Sequence, residues 1–274
     1  MIERYNQIRR KAKEIRIGCV TIGGQYPLAV QSMTNTDPHD AAAALAQVRA
    51  LEAAGCDIVR MSAPDVESAR TFAFLKEAGV ELPLVADIHF DYRIALECIA
   101  AGADKIRINP GNIGDENRIR AAADACRAKE IPIRIGVNGG SLEKEILAKH
   151  GAPSGAALAE SALYHCSLLE KFDFDQIVLS VKSSDVCEMA RANELLAEAC
   201  TYPLHLGVTE AGGGRMGLIK GAAGIGGMLL RGIGDTVRVS LTENPAEEVQ
   251  AAHDILFSLG FDNRKRMNIV SCPT

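Results

Sequence analysis

The sequence predicts a (β/α)8 barrel, and three observations point to it. Eight short runs rich in Ile, Val and Leu recur along the 274 residues with helical segments between them. Those segments close repeatedly on Ala-Gly just before the next run, as at 53–55, 78–79 and 101–102, the usual stop of a helix feeding a strand. The later runs also carry polar residues on alternate positions: KIRINPGN (105–112), PIRIGVNGG (132–140), IVLSVKSSD (177–185), LHLGVTE (204–210) and DTVRVSLTE (235–243). Strand side chains alternate sides, so such runs give an apolar face to covering helices and a polar face to a barrel interior. An open, doubly wound sheet is the rival architecture. It should carry a GxGxxG turn after its first strand, and none follows VQSMT.

The elements fall in order. The opening stretch MIERYNQIRRKAKEIRIG (1–18) has no apolar core of signal-peptide length. In EIRIGCVTIGGQYPL (14–28), two extended pieces around Gly23-Gly24 suggest a hairpin capping the barrel floor. The first barrel strand is PLAVQSMT (27–34), after which Asp37-Pro38 opens a helix ending at Gly55. Strand two is CDIVRMS (56–62), followed by a helix opened by Pro64 and closed at Gly79. Strand three is PLVADIH (83–89), and Asp91 starts the helix that ends at Gly102. KIRINP (105–110), PIRIGV (132–137), QIVLSVK (176–182), PLHLGVT (203–209) and TVRVSLT (236–242) supply strands four to eight. Each interval leaves room for one helix with its loops. Pro245 opens the last helix, which ends at Gly260; the segment 261–274 is too short for a domain.

Composition narrows the class. Apolar residues make up 47%, aromatics only 4%, and Trp is absent, so the core rests on Ala, Ile, Leu and Val. A formal charge of -5 gives no support to nucleic-acid binding, though an acidic protein can hold a local positive site. The eight cysteines are scattered without a CxxC pair, as expected for reduced thiols in the cytoplasm. No run approaches the ~18 apolar residues of a spanning helix. The Ala/Gly-rich stretch 217–234 comes nearest, and Lys220 and Arg231 interrupt it.

Alternation also picks out a site. Lys105, Arg107 and Asn109 share one face of strand four; Arg134 and Asn138 share one face of strand five. Ser180 goes with Lys182, His205 with Gly207 and Thr209, Arg238 with Ser240, Asp87 with His89, and Arg60 with Ser62. Five basic residues then converge at the mouth: Arg60, Arg107, Arg134, Lys182 and Arg238. Any one of the arginines, taken singly, reads more readily as half of a structural ion pair. Together they are too costly to bury without an anion, because Asp87 and Glu210 neutralise only part of the charge. Phosphate or diphosphate fits, since arginine forks bind it bidentately. The turns NPGNIG (109–114), NGG (138–140) and EAGGG (210–214) could add backbone N–H groups. Asp87, His89 and Glu210 are the acid–base candidates. His89, His205, Asp87 and Glu210 could instead hold a divalent metal, and Lys182 could form a Schiff base.

VQSMTNTDP (30–38), DIHFDYRIAL (87–96), RINPGNIG (107–114), RIGVNGGSL (134–142), LHLGVTEAG (204–212) and IGDTVRVSLT (233–242) together carry a resemblance. The chain resembles, over essentially its whole length, 4-hydroxy-3-methylbut-2-enyl diphosphate synthase, the iron–sulfur enzyme of the non-mevalonate isoprenoid pathway. The resemblance implies a barrel like that of dihydropteroate synthase. It also implies reductive opening and dehydration of 2-C-methyl-D-erythritol 2,4-cyclodiphosphate, with electrons from ferredoxin or flavodoxin, in a homodimer. By position, Arg60, Arg107, Arg134, Lys182, His205, Arg238 and Ser240 would contact the diphosphate. Asp87, Asn109, Asn138 and Glu210 match polar residues around the substrate, and the inward-facing Ser180 and Thr209 join them. The family holds a [4Fe-4S] cluster by three cysteines and one glutamate in a C-terminal domain that begins with CPxCGR. VSCPT supplies Cys272 as the first of these ligands. The expected division is a barrel with its cap over 1–265 and the start of the cluster domain over 266–274. Such a stretch would bind the cyclic diphosphate without reducing it. A pteridine-diphosphate-binding synthase of the related barrel type and an inactive binding module are the other readings.

Overall fold

A computed structural model describes residues 2–89, 91–109, 112, 115–242, 244–262 and 267. The barrel strands are β3 (Ala29–Met33), β4 (Ile58–Ser62), β5 (Leu84–Asp87), β6 (Lys105–Ile108), β7 (Ile133–Asn138), β8 (Ile177–Lys182), β9 (His205–Leu206) and β10 (Thr236–Val237). They pair in parallel in the order β8-β7-β6-β5-β4-β3-β10-β9. A parallel bridge from Leu179 to Leu204, with Leu179 N donating to Pro203 O at 2.9 Å, closes the ring. No strand edge is left open, as a barrel requires.

Period-two alternation decides which side chains go where. Val59, Met61, Ile106, Ile108, Ile133, Ile135, Leu179 and Val181 point outward into the main core, where they meet Leu51, Phe72, Leu75, Ile99 and Leu158 of the surrounding helices. The inward set changes character with height. At the bottom, Ala29, Ile58, Val85 and Val178 pack on Ile15, Ile17 and Ile22 of an antiparallel hairpin, β1 (Ile15–Ile17) with β2 (Val20–Ile22). The hairpin is an apolar plug in the barrel floor, as the sequence led one to expect.

Its turn falls elsewhere, however. Ile17 pairs with Val20, so Gly18 and Cys19 make the turn. Gly23 and Gly24 follow β2, and a side chain on Gly23 would collide with the Lys13 backbone. Other boundaries shift for local reasons. The helix after β3 is Ala41–Ala53, capped by Asp40, whose carboxylate accepts from Ala43 N at 2.9 Å. Asp37, the expected opener, is engaged instead by the His39 backbone and ring. The helix after β4 starts at Ala69 rather than at Pro64, because Asp65 and Ser68 bond each other in a preceding turn. The long interval before β8 holds two helices, Lys144–His150 and Gly155–Glu170, where one was expected. Asp91 and Pro245 begin their helices as anticipated. Gly55, Gly79, Gly102 and Gly260 follow the helix ends with positive φ.

The N-terminal segment adds a helix, Ile2–Ile8, left unassigned by the sequence. Tyr5 donates to Gly234 O at 2.6 Å and Arg9 pairs with Asp235 at 2.5 Å, which ties this segment to the β9–β10 side of the barrel. Cys56, Cys98, Cys126 and Cys166 are buried free thiols. Among the described residues, no helix is long and apolar enough to cross a membrane.

Candidate active site at the barrel mouth

Above the plug the inward positions turn polar, and at the C-terminal ends of the strands they enclose a cavity of about 90 Å³. Arg60, Arg107, Arg134, Asn138, Ser180, Lys182, Thr209, Arg238 and Ser240 line it, together with Gly136 and Val137. All five basic residues singled out by alternation therefore meet, from five different strands or strand ends. Gly136 is needed for this, because a Cβ there would strike the Arg107 guanidinium. Gly207 plays the same part opposite: a Cβ would stand 2.7 Å from Arg238 O and 3.0 Å from Lys182 Nζ.

Two carboxylates anchor three of the cations. Asp87 is buried beneath the cavity and joins Arg60 (2.7 Å) to Arg107 (2.9 Å). Glu248 accepts from Arg238 at 3.0 and 3.1 Å, from Ser32 Oγ at 2.9 Å and from Leu241 N at 3.1 Å. Glu248 was missed, and Glu210, expected to share the neutralisation, does not. Glu210 is exposed, lies outside the cavity lining, and has φ +51, which is uncommon for a residue with a side chain. In the sequence Glu248 looks like any acidic residue favoured in the first turn of a helix. Only the packing of that helix against β3 and β10 carries it to the site.

The remaining cations are poorly compensated. Arg134 is 1% exposed, and its Nε and Nη1 have no hydrogen-bond partner. Burial drives Lys182 well below its usual value, and Arg238, Arg134 and Arg60 add to the shift against the opposing Glu248. Burial also lowers Arg60 to about 10, with Asp87 opposing, which leaves it cationic at neutral pH. Burial works to raise Asp87, but Arg60 and Arg107 overcome it and hold the carboxyl below the ordinary carboxylate range.

The other candidates lie around this cavity rather than in it. His205 is fully buried below, with Nδ1 2.7 Å from Thr236 Oγ1. Burial first, then Arg134, Lys182 and Lys105, keep its imidazole neutral. Asn109 is buried, with Nδ2 3.4 Å from Ser141 O, which ties the β6 end to the turn after β7. His89 is on the rim, half-exposed, with Nε2 3.7 Å from Asp87. Cys272 lies outside the described residues. The metal alternative built on His89, His205, Asp87 and Glu210 is not assembled: among the described residues no group of three or more His, Cys, Asp or Glu could hold a metal ion. For the same reason the described residues do not form a site for an iron–sulfur cluster. A larger groove under the floor, bounded by Arg16, Lys129 and Asp175, mixes both signs of charge and gathers no convergent set.

Known proteins agree with this architecture. Among solved structures, dihydropteroate synthase from Yersinia pestis superposes with a TM-score of 0.63, at 14% identity over 90% of this chain and 98% of that one. The Xanthomonas albilineans enzyme in complex with 7,8-dihydropteroate gives 0.59, at 18% identity over 85% and 92%. At such identities the likeness shows the fold alone. Sequence relatives go further. The GcpE TIM-barrel domain family matches residues 12–253. The 4-hydroxy-3-methylbut-2-en-1-yl diphosphate synthase (flavodoxin) of Azotobacter vinelandii is 54% identical over 97% of this chain and 71% of its own length. That of Pseudomonas fluorescens strain Pf0-1 is 53% identical over 97% and 72%. Membership of this group implies a [4Fe-4S] cluster in the full-length enzyme. A shared barrel, matched along nearly its whole length at such identity, places the chain in the 4-hydroxy-3-methylbut-2-en-1-yl diphosphate synthase family of oxidoreductases.

Proposed function

We propose that the mouth cavity holds the diphosphate of 2-C-methyl-D-erythritol 2,4-cyclodiphosphate while the ring is reductively opened to 4-hydroxy-3-methylbut-2-enyl diphosphate. The reaction takes up two electrons and two protons and releases one water. The observation that carries the reading is the excess of cations: five basic side chains line one small cavity and two buried carboxylates face them. A ligand with two fixed negative charges redresses that imbalance. Arg134 and Lys182, which lack a carboxylate partner among the described residues, make the strongest contacts. Arg60, Arg107 and Arg238, already oriented by Asp87 and Glu248, form the walls. Asn138, Ser180, Thr209 and Ser240 donate to the remaining phosphate oxygens. Fixed in this way, the diphosphate holds the carbon skeleton still for the chemistry above it.

His89 and Glu210 stand on the rim, where protons must be delivered, and serve as the acid–base pair. Asp87, ionised between two arginines and 3.7 Å from His89 Nε2, orients that imidazole. His205 supports the contact residues from beneath, and Asn109 does so from the end of β6, where it holds the turn after β7. A [4Fe-4S] cluster in the full-length enzyme, with Cys272 as one of its ligands, would pass on electrons received from flavodoxin. Residues 1–265 act as the substrate domain; residues 266–274, with Cys272, open the cluster domain. The setting is the cytoplasm, and the assembly a homodimer.

Calorimetric titration with the cyclic diphosphate tests the reading. Saturable binding at one site per chain is expected. Arg134→Ala and Lys182→Ala should each weaken it by about 1.5–3 kcal/mol, the range for a charged hydrogen bond. Binding that both variants leave unchanged would remove the assignment.

A further inference from the structure

Beneath the cavity the barrel carries a second polar layer that the proposed reaction does not use. Gln31 on β3, Lys105 on β6, His205 on β9 and Thr236 on β10 face inward, each at most 1% exposed. His205 is bonded to Thr236, and Lys105 Nζ has Gln31 Oε1 at 3.4 Å. Lys105 makes no ion pair among the described residues. A lysine ammonium in a dry interior normally requires a carboxylate, and none faces this one. Asp87, on the neighbouring β5, is taken by Arg60 and Arg107; Glu248 is taken by Arg238. From the other strands Lys105 meets Arg134, Arg60 and the neutral His205, with Lys182 and Arg238 higher in the same interior. The hairpin below contributes apolar side chains, Ile15, Ile17 and Ile22 with Val20. Gln31 Nε2, His205 Nε2 and two nitrogens of Arg134 are also buried without partners. The layer is thus built of donors and lacks negative charge.

We propose that Lys105 is a positioning residue which is neutral in the ligand-free barrel and takes a proton from solvent when a dianion enters the cavity above it. The inference rests on the reading of that cavity as a diphosphate site. Burial, then Arg134 and Arg60, press the Lys105 ammonium well below its usual value of 10.5, so the amine is the form that suits the ligand-free interior. Two negative charges on the far side of Arg134 and Arg60 lower the positive potential at Lys105. The amine then gains a proton and no other bond changes. The ammonium adds a sixth cation behind the five that touch the ligand. Gln31 holds it through its carbonyl oxygen, which accepts from the ammonium. Binding the substrate therefore consumes a proton, and affinity falls as pH rises.

Calorimetry in two buffers of different ionisation enthalpy counts that proton. Each phosphorus atom of the cyclic diphosphate carries one ester and one anhydride linkage and a single strongly acidic hydroxyl, so the ligand exchanges no proton near neutral pH. The wild-type protein should show net proton uptake on binding, and Lys105→Met should lower it by about one proton per site and weaken affinity about tenfold. Gln31→Glu should also lower the uptake, because a carboxylate beside Lys105 keeps it protonated throughout. A merely structural lysine would leave the proton count unmoved. If Lys105→Met does not fold, the Gln31→Glu comparison decides alone. Binding with the same uptake in the wild type and the variants overturns the role of Lys105. No saturable binding by the wild-type protein overturns the diphosphate reading itself, and this inference with it.

Discussion

The floor and the mouth of this barrel are built from the same alternating strand positions and obey opposite rules. At the floor, Ala29, Ile58, Val85 and Val178 close on three isoleucines of the hairpin. Burial there removes apolar area from water and stabilises the fold. Two residues further along β4, β5 and β8, Arg60, Asp87 and Ser180 occupy the next inward positions, with Arg134 of β7 beside them. Burial there confines like charges and works against the fold unless a ligand shares the space. Stability and binding are thus separated along the barrel axis, a few residues apart on each strand.

That separation can be broken in ways that differ in size and sign. The largest loss should follow Glu248→Ala, which strips Arg238, Ser32 and the Leu241 amide of their shared acceptor. Breaking a buried pair on one side costs about 3–5 kcal/mol, to be read from chemical denaturation, and affinity should fall as well because Arg238 loses its aim. Next, Ile17→Ala opens a cavity in the floor. A loss of about 2–5 kcal/mol of stability is expected, while the affinity of the folded protein for the cyclic diphosphate stays unchanged. A comparable loss of affinity would show that floor and mouth are coupled. Arg134→Met should reverse the pattern. Binding weakens by about 2 kcal/mol, and the ligand-free protein becomes more stable by about 1 kcal/mol, since an unpartnered buried cation is replaced by an apolar side chain of similar length. Equal melting temperatures would mean that the guanidinium is better solvated than its burial indicates.

The smallest effect at working pH concerns acid. The Asp87 carboxyl is held below its ordinary value of 3.8, so the stability it contributes is complete above that value and is lost as pH falls toward the lower, folded one. His205 titrates in the folded state well below 6.5, so its contribution also declines as pH drops beneath 6.5. Above neutrality the stability of the wild-type protein should rise with pH toward 10.5, because Lys105 is neutral in the fold and protonated when unfolded; on the acid side the protein should weaken in two further stages. His205→Asn should remove the first stage only, as followed by thermal melts across pH.

Much of the site was legible because its signal is local. A residue's face in a strand follows from counting by two, so Arg60, Arg107, Arg134, Lys182 and Arg238 fall together on the sequence pattern alone. Depth along the strand is not given by that count. Alternation puts Lys105 on the same face as Arg107 and His205 on the same face as Thr209. Only the register between strands shows that Lys105 and His205 sit one layer lower, under the cavity rather than around it. Glu248 lies on a helix, and Glu210 on an exposed loop; both are acidic and both follow a strand of the right kind. Their exchange of roles could not be read from composition or spacing.

The sequence by itself determined the barrel, the plug in its floor, the sign of the charge at its mouth and the family. Each depends on periodicity or on short motifs, which are properties of neighbouring residues in the chain. Tertiary structure alone decided which carboxylates compensate which cations, which lysine is left without one, and how deep each inward side chain lies. Those depend on strand stagger and on the docking of helices against the barrel, and therefore on contacts between residues as far apart as Ser32 and Glu248. Electrostatic energy varies with distance through space and with burial, and neither quantity is encoded in position along the chain.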